Sequence, residues 1–440
     1  MDLASALVEV GGGQGTVSFS KLHSHLDVAW LTQALQLSGV ATLRRRRLPA
    51  EFVIWLVIGM ALFADRSIQA VARHLDLVLA GGPRRRKPVS SSAIVQARNR
   101  VAIRPVAELF TLSAARWATQ SADALRWRGL AVYGLDGTTL RVADSPENAL
   151  VFGRPTNGHG EAGYPKVRVV ALMVLRSHVL ANLAIGAYTQ GEHTIAAPLW
   201  ETLPAHSLVI IDKGFIAYDL FYRIQSGAVP RHWLVRARKG LRWTVVEALG
   251  DNDHLVDLPF DSTMRRTHPE WPSVLRVRAI GYQRPGFRPQ ILLTSLLDPQ
   301  AYPAAEIAAL YHERWELELG FDETKTHTLE RHETLRSQSP QRVCQEIWGL
   351  AIGYNLVRVE IAHVARAIDL PPARISYRGA LLLIRNFFLT AWLVSPGTLP
   401  AHLQRLHEEL ALLILPQRRL RRYPRAVKFK STAYPRKTRS

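Results

Sequence analysis

The sequence predicts an α/β fold, with a sheet of mixed direction between two helical regions. From about residue 128 the apolar spacing changes from helical to alternating, or to short apolar runs, as in strands. Strand and helix patterns then follow one another along the chain, which indicates a layered α/β domain. At 440 residues the chain is long enough for two or three domains.

Residues 1–125 predict a helical N-terminal region. "DVAWLTQALQLSG" has helical apolar spacing, and "LPAEFVIWLVIGMALFADRSIQAVARHLDLVL" predicts two helices with a break near Asp65. The serines of the linker "GGPRRRKPVSSSAIVQARNRV" are placed to cap the next helix. Short helices with basic connections are typical of a DNA-binding module, although a packing domain with cationic loops has the same pattern.

Residues 126–335 predict the sheet and its crossing helices. "GLAVYGLD" predicts a strand that ends at Asp136, and "KVRVVALMVL" and "HVLANLAIGAY" predict two paired strands. "EHTIAAPLWETL" predicts a helix, "SLVIIDKGF" a buried strand that ends at Asp212, "IAYDLFYRIQSG" a helix and "HWLVRARKG" a strand. Residues 240–297 predict a β-rich insertion. Residues 336–440 predict a helical C-terminal region with a basic tail.

The charge of the chain indicates a polyanionic partner. Its 56 Lys+Arg against 36 Asp+Glu give a net charge of +20 and a pI near 10.6. Such a field attracts nucleic acid, while a cationic surface that serves solubility is the alternative. The basic runs Arg44–Arg47 and Arg84–Lys87 are candidates for phosphate contacts, or are solvated loops.

Cysteine content and hydropathy predict a cytoplasmic protein without a membrane partner. The single cysteine, Cys344, excludes an internal disulfide and a cysteine-based zinc site, which fits a reducing compartment. The N-terminus lacks the order of a signal peptide. The most apolar run, Phe52–Ala64, is shorter than the roughly 20 residues of a membrane span.

Two aspartates close predicted strands, in "LDGTT" (Asp136) and "IDKGF" (Asp212). The strand ends of open α/β sheets are where such folds place their sites. An Asp at a strand end is also a common turn residue, because its side chain can accept a hydrogen bond from a following backbone N–H. Both interpretations stay open for each aspartate taken alone.

The segment "YHERWELELGFDETKTHTLE", residues 311–330, is rich in acids within a basic chain. Helical spacing gives one stripe to five of its residues: Tyr311, Arg314, Glu318, Asp322 and Lys325. Glu313, Glu316 and Glu323 fall away from that stripe, which predicts solvent exposure or ion pairs for them. Trp315 is expected in the core. A helix held by surface ion pairs alone is the alternative for the whole segment.

A carboxylate from this helix could join the two aspartates in holding two divalent ions about 4 Å apart. Oxygen ligands without cysteine favour Mg²⁺ or Mn²⁺ over zinc. Two such ions can activate a water or a 3′-hydroxyl for phosphodiester chemistry. Tyr311, Arg314 and Lys325 would then offer phosphate donors beside the metal ions.

Tyr311, Arg314, Glu318 and Lys325 match a Y-(2)-R-(3)-E-(6)-K signature without a gap. Upstream "LDGTTLRVADSPEN", "FGRPTNGHGEAGYP" and "VIIDKGF", and downstream "TLRSQSPQRV", agree with it. From about residue 50 to residue 430 the chain resembles the DDE transposases of bacterial insertion sequences, in the large family numbered four.

The resemblance implies an RNase H-like (retroviral integrase-like) core, with the β-rich insertion before the helix of Glu318. Asp136, Asp212 and Glu318 look like the catalytic carboxylates and the ligands of two Mg²⁺ or Mn²⁺ ions. Tyr311, Arg314 and Lys325 look like residues that hold DNA phosphates.

Further DNA contacts are expected from three other residues. Some relatives cut through a hairpin with a flipped base stacked on a Trp of the insertion, for which Trp243 and Trp271 are candidates. Core packing is the alternative for either Trp. Lys213, beside Asp212, is a candidate DNA contact or a solvated lysine.

The sequence therefore predicts a transposase that binds the terminal inverted repeats of its element. It would cleave each end, join the freed 3′-hydroxyl to target DNA, and act as a homodimer on both ends. A stand-alone metal-dependent nuclease is one alternative. A non-catalytic DNA-binding descendant of a transposase is another, and the presence of all three carboxylates argues against it.

Overall fold

Helices from both ends of the chain flank a mixed sheet. The computed structural model describes residues 27–40, 48–78, 89–157, 160–161, 163–284, 286–329, 334–390 and 398–417. Its strands are β1 (Ala131–Val142), β2 (Thr156–Asn157), β3 (Gly160–Glu161), β4 (Lys166–Val174), β5 (Leu180–Ala187), β6 (Ser207–Ile211), β7 (Arg231–Arg236), β8 (Thr244–Gly250), β9 (Asp253–Pro259), β10 (Val274–Tyr282), β11 (Gln290–Thr294) and β12 (Thr334–Leu335).

The described helices are α1 (Val28–Leu37), α2 (Ala50–Leu62), α3 (Ile68–Val78), α4 (Ser91–Val101), α5 (Arg104–Asp123), α6 (Pro146–Phe152), α7 (Glu192–Trp200), α8 (Tyr218–Ser226), α9 (Ser262–Thr267), α10 (Ala304–Tyr311), α11 (Trp315–Asp322), α12 (Pro340–Ala367), α13 (Tyr377–Thr390) and α14 (Leu399–Ala411). Short 3₁₀ helices cover Lys213–Phe215, His312–Arg314 and Pro372–Arg374, and a π-helix covers Glu323–Thr328.

The sheet has an RNase H-like core. Its first five strands lie in the order β5-β4-β1-β6-β7. Strands β5, β4 and β1 are antiparallel, and β1, β6 and β7 are parallel. The apolar runs of β4 and β6 are almost wholly buried, as expected of strands covered on both faces. The fold predicted from the sequence is confirmed.

The predicted insertion extends this sheet rather than standing apart from it. Strand β11 pairs antiparallel with β7, and β10, β9 and β8 follow outward in a meander. With β12 beside β1, the main sheet has ten strands in the described residues. The insertion therefore begins directly at the end of β7, on the side of the core that carries Asp212.

The N-terminal and C-terminal helices pack on each other. Helix α2 is apolar on all sides and almost completely buried. Two glycines of α12 let it approach α2 closely: a Cβ on Gly349 would lie 2.7 Å from the Val57 carbonyl oxygen, and one on Gly353 would lie 3.2 Å from the Ala61 Cβ. The buried Arg98 adds polar contacts by donating from Nε to Gln345 Oε1 at 2.8 Å.

Local signals in the N-terminal helices are confirmed. The Ser90 hydroxyl accepts a hydrogen bond from the Ala93 N–H at 3.2 Å, so the linker serine caps α4 as predicted. The break near Asp65 separates α2 from α3. Within the described residues, no helix has both the length and the apolar character that a membrane span requires.

Candidate active site

Asp136 and Asp212 lie side by side on two adjacent parallel strands. Strands β1 and β6 pair up to Leu135 opposite Ile211, and the two aspartates are the next residue on each chain. Side chains at matching positions of parallel strands project from the same face of a sheet. The two carboxylates therefore share one face, at the point where the parallel pairing of β1 and β6 ends.

The prediction that the first strand ends at Asp136 is wrong. Strand β1 continues to Val142, because its antiparallel pairing with β4 goes on beyond Asp136 as far as Arg141 opposite Lys166. The Asp-Gly pair resembled a turn, but Thr138 and Thr139 after it are β-branched residues that suit a strand. Only the pairing with β6 stops at the aspartate, and Asp212 alone lies just past a strand end.

Burial raises the pKa of Asp136 to about 6. The Gly137 N–H donates to Asp136 Oδ1 at 2.7 Å and, with the charge of Arg314, opposes this rise. The charges of Glu192 and Asp212 add to it. A raised pKa from burial and neighbouring acids is typical of a carboxylate at a functional site.

Glu192 is a fourth acid at this place that the sequence analysis did not single out. It begins α7, and a Cβ on Gly137 would lie 2.7 Å from its carboxyl carbon. Its Oε1 accepts from Arg168 Nη1 at 2.6 Å, so its charge is paired within the protein. Nothing in the sequence around Glu192 indicated this proximity, since it depends on how α7 crosses the sheet.

The turn after Asp212 is held by four polar contacts. Asp212 Oδ2 accepts from the Gly214 N–H at 3.2 Å, which caps the 3₁₀ turn. Arg238 donates from Nε to the Lys213 carbonyl at 2.7 Å and from Nη2 to the Gly214 carbonyl at 2.8 Å. His193 Nε2 lies 2.7 Å from the same Gly214 carbonyl. Lys213 itself projects an exposed side chain beside Asp212.

Arg314 joins the sheet carboxylates to the helix carboxylate. Its Nη1 lies 4.0 Å from Asp212 Oδ1, and its Nη2 donates to Glu318 Oε1 at 3.2 Å. The Arg314 side chain is only 13% exposed, whereas that of Glu318 is 45% exposed. The guanidinium thus brings Glu318 to the same site as the two aspartates.

The segment from Tyr311 is not one continuous α-helix. A 3₁₀ turn at His312–Arg314 separates α10 from α11, and a π-helix follows Asp322. These changes of pitch alter the single stripe predicted from α-helical spacing. Arg314 and Glu318 nevertheless meet.

The other two members of the signature are Tyr311, which precedes Arg314 and Glu318 in the sequence, and Lys325, which follows them. Tyr311 is buried, close enough to Arg314 for the guanidinium charge to act on its hydroxyl. Burial raises the pKa of Tyr311, against the charges of Arg314 and Arg236. Lys325, in the π-helix, lines a small apolar cleft of about 40 Å³ together with Thr138 and Phe321.

Two of the acids away from the stripe, Glu313 and Glu323, are ion-paired with arginines, which was one of the two possibilities predicted, and Glu316 is hydrogen-bonded to a histidine. Glu313 Oε1 accepts from Arg176 Nη2 at 2.8 Å, and Glu316 Oε2 lies 2.8 Å from His178 Nε2. Glu323 contacts the buried Arg358 and His178. Burial alone would raise the pKa of Glu323, but the charges and hydrogen bonds of these two partners lower it to about 2.

The prediction that Trp315 lies in the core is wrong. Its side chain is 51% exposed, and the Arg314 guanidinium carbon lies 5.0 Å from the centre of its ring. The 3₁₀ turn before Trp315 rotates it away from the sheet.

Trp271 stacks on His268 with ring centres 4.0 Å apart, and Trp243 packs half-buried against the core. The basic runs Arg44–Arg47 and Arg84–Lys87 and the tail at 418–440 lie outside the described residues.

Among the residues that the structure describes, no three His, Cys, Asp or Glu side chains are close enough together to hold a metal ion. The donor set still suits a hard divalent cation, because Asp136, Asp212 and Glu318 supply only carboxylate oxygens. Arg314 contacts the last two of these carboxylates. The charge of the same guanidinium also acts on Asp136.

Comparison with known proteins agrees with this fold. The family model for the insertion element 4 transposase N-terminal region matches residues 16–111, and that for the transposase DDE domain matches residues 127–356. The transposase InsG of insertion sequence element IS4 of Escherichia coli (strain K12) is 34% identical over 417 residues, which cover 94% of this chain and 93% of InsG.

Two further similarities are more distant or partial. The putative transposase InsZ of the same organism is 35% identical over 224 residues, 51% of this chain and 73% of InsZ. A piggyBac transposase synaptic complex with hairpin DNA is 12% identical in sequence. It covers 94% of this chain and 86% of that one, with a TM-score of 0.42.

The match to the transposase DDE domain and the identity to InsG show a DDE transposase, an enzyme that cleaves DNA and transfers strands. The chain belongs to the IS4 family of these transposases. DNA is accordingly its partner, and DDE domains use divalent metal ions.

Proposed function

We propose that this transposase binds the terminal inverted repeats of an insertion sequence and cleaves the DNA at their outer boundary. It then joins the freed 3′-hydroxyl to target DNA. Asp136, Asp212 and Glu318 are the catalytic carboxylates in this proposal. The observation that carries it is the register of β1 and β6, which gives the two aspartates neighbouring positions on one face while Arg314 links Asp212 to Glu318.

The same three carboxylates would bind two Mg²⁺ or Mn²⁺ ions. Bound there, the ions would supply an activated oxygen nucleophile and stabilise the leaving oxygen. Because Arg314 now contacts both Asp212 and Glu318, we expect its guanidinium to exchange carboxylate for DNA phosphate in the active complex. Tyr311 and Lys325 would act with it as phosphate donors.

The remaining DNA contacts are assigned by region. The helical region 1–125 would bind the inverted repeat, the catalytic region 126–335 would hold the cleavage point, and region 336–440 would support both. Lys213 is exposed next to Asp212, which supports a DNA contact there. If cleavage passes through a hairpin, Trp243 or Trp271 of the insertion would stack on the flipped base. A homodimer in the bacterial nucleoid would bring the two ends together.

The test is cleavage of labelled duplex DNA that carries the flanking inverted repeat, with Mg²⁺ or Mn²⁺. The native protein, Glu318→Gln and the control Glu201→Gln are compared side by side. Glu201 is exposed at the end of α7, so the control removes an equal charge away from the site. We expect nicks at the repeat boundary and joined products, both lost in Glu318→Gln and kept in the control.

Other outcomes separate the alternatives. Cleavage without any joined product would favour a stand-alone nuclease. Repeat-specific binding without cleavage in either metal would favour a DNA-binding descendant. Normal cleavage by Glu318→Gln would remove this residue from the catalytic set while leaving the family assignment intact.

A further inference from the structure

Arg236 continues the row formed by the two aspartates. Strands β6 and β7 pair in parallel up to Ile211 opposite Val235, and Asp212 and Arg236 are the next residue on each. Since Asp136 is the matching residue on β1, three adjacent parallel strands present Asp136, Asp212 and Arg236 in one line. Matching positions of parallel strands face the same way. The guanidinium of Arg236 therefore lies next to the two carboxylates, on β7, the strand after which the insertion begins.

Arg236 differs from three other half-buried arginines around the site. Among the described residues, no carboxylate oxygen lies within 4.0 Å, the salt-bridge distance, of the Arg236 guanidinium. Three half-buried arginines near the site do have such a partner: Arg168 with Glu192, Arg176 with Glu313, and Arg314 with Asp212 and Glu318. A partly desolvated guanidinium is costly unless an anion contacts it. Its place in the fold thus suits an anion that the protein does not itself provide.

The insertion supplies the opposite wall of this place. Tyr282 ends β10, its hydroxyl donates to Gln290 Oε1 at 3.1 Å, and its ring meets the edge of His312 with centres 5.7 Å apart. Arg284 follows two residues later and is also without a carboxylate partner among the described residues; it packs on Phe287, 5.7 Å from the ring centre. Arg236 on β7 and Tyr282 on β10 lie on the two strands that pair with β11, and Arg284 follows Tyr282 by two residues.

The electrostatics of the aromatic groups agree with two converging cations. Burial raises the pKa of Tyr282, and the charges of Arg236, Arg284 and Arg314 oppose this rise. Burial lowers the pKa of His312, and the charge of Arg284 lowers it further. Tyr282 therefore remains a neutral hydroxyl, whose proton is donated to Gln290, and His312 remains a neutral imidazole near pH 7, whose ring N–H can donate a hydrogen bond to an oxyanion.

We propose that Arg236, Arg284, Tyr282 and His312 form a second phosphate-binding site, distinct from the carboxylates. It would bind a backbone phosphate of the transposon-end DNA on the insertion side of the cleavage point. This inference rests on the function proposed above. Arginine suits a phosphate because its planar fork donates two parallel hydrogen bonds. Such a contact fixes the position of the strand and does not recognise a base.

The experiment uses the full chain and duplex end DNA in EDTA, where binding is measured without cleavage. A single neutral methylphosphonate is moved along the strand near the repeat boundary. We expect one substituted position to weaken binding of the native protein about tenfold, as loss of a charge-assisted contact does. Arg236→Gln should weaken binding to unmodified DNA by a similar factor, and the same methylphosphonate should then have no further effect.

Two variants make this result specific. Arg236→Lys should recover part of the affinity, because the charge remains while the fork is lost. Arg276→Gln removes an exposed, Asp257-paired arginine from the same strand as Tyr282, and should leave the methylphosphonate pattern unchanged. Thermal unfolding of each variant excludes a folding defect as the cause of weaker binding.

The outcomes separate this site from the proposed catalytic function. If Arg236→Gln binds unmodified DNA as tightly as the native protein, or stays sensitive to every methylphosphonate, the second phosphate site is wrong even where Mg²⁺-dependent cleavage is normal. If the local effect is found but no metal supports cleavage, the phosphate site stands and the catalytic proposal fails. If the native protein binds no end DNA, both are refuted.

Discussion

Leu317, the residue before Glu318 on α11, lies directly over Gly134 on β1. A Cβ on Gly134 would come within 2.5 Å of Leu317 Cδ1 and within 2.6 Å of Leu175 Cδ2. Both leucines are fully buried, so neither can move into solvent. The absence of a side chain at Gly134 therefore sets how closely the helix of Glu318 approaches the strand of Asp136.

Gly134→Ala is accordingly expected to lift α11 from the sheet. Overpacking of this kind costs about 1–3 kcal/mol of the free energy of unfolding. The displacement should separate Glu318 from the aspartates, so DNA cleavage should fall by a larger factor than DNA binding. Cleavage rate, DNA affinity and urea unfolding are measured on the same preparation. Gly163→Ala is the control, because a Cβ there meets nothing within 4 Å. Equal cleavage by both variants would contradict the predicted role of the close approach.

The pKa of Asp136 predicts that this carboxylate destabilises the metal-free protein at neutral pH. Its folded-state pKa of about 6 lies above the ordinary value of 3.8, so the folded protein holds the proton more tightly than the unfolded chain. Stability from this group is complete below about pH 3.8 and declines as the pH rises through about 6. The charged groups that act on Asp136 are Arg314, Glu192 and Asp212.

Asp136→Asn should therefore raise the free energy of unfolding at pH 8 in EDTA, by up to about 3 kcal/mol. The gain should disappear at pH 4, where Asp136 is protonated in the folded protein. Asp251→Asn, at an exposed turn, should change stability little at either pH. Denaturant unfolding at the two pH values checks this. A variant less stable than the native protein at pH 8 would show that contacts of the charged Asp136 outweigh its burial.

The buried Arg358 of α12 stabilises the π-helix that follows α11. It contacts Glu323 and donates to His178 Nδ1 at 2.6 Å, and Glu323 also accepts from the Tyr354 hydroxyl at 2.9 Å. Arg358→Met leaves Glu323 buried without its main partner. We expect a loss of about 3–5 kcal/mol in the free energy of unfolding at pH 7.

A second substitution separates loss of the ion pair from loss of packing. Glu323→Gln combined with Arg358→Met removes both charges, and should recover part of the stability lost in Arg358→Met alone. The pKa of Glu323 is lowered from 4.5 to about 2. Its contribution to stability is therefore complete above about pH 4.5 and is lost as the pH falls through about 2. A double variant that is no more stable than Arg358→Met would point to packing instead of charge.

The strands and the two aspartates could be predicted from the sequence because both depend on local pattern. The apolar runs before Asp136 and Asp212 are long enough to indicate buried strands, and each acid stands where its run changes character. Spacing also predicted that Arg314 and Glu318 share a face, and they form a contact four residues apart. These features need no knowledge of the tertiary packing.

The rest of the site depends on changes of helix pitch and on packing between distant elements. The 3₁₀ turn before Trp315 and the π-helix at Glu323 break the periodicity on which the helical stripe was based. The exposure of Trp315 follows from the 3₁₀ turn. The approach of Glu192 to Asp136 and the alignment of Arg236 with Asp212 come from crossing angles and strand register, which no local pattern in the sequence records.

Arg238 is expected to position Asp212. It contacts the turn after Asp212 only through the carbonyls of Lys213 and Gly214, and it lies two residues beyond β7, where the insertion begins. Arg238→Ala frees that turn while leaving all three carboxylates present. We therefore expect about a tenfold higher metal concentration for half-maximal cleavage, as when the groups that orient a metal ligand are removed.

The readout is cleavage of end DNA across a titration of Mn²⁺, because a positioning defect and a DNA-binding defect differ there. Loss of orientation at Asp212 should raise the Mn²⁺ concentration needed for half-maximal cleavage. The DNA affinity measured in EDTA should stay unchanged. Lys239→Ala removes the neighbouring exposed charge without touching the turn, and should keep the native metal dependence. If Arg238→Ala instead weakens DNA binding and keeps the metal dependence, its guanidinium contacts DNA, and the turn is held without it through His193 and the Asp212 cap.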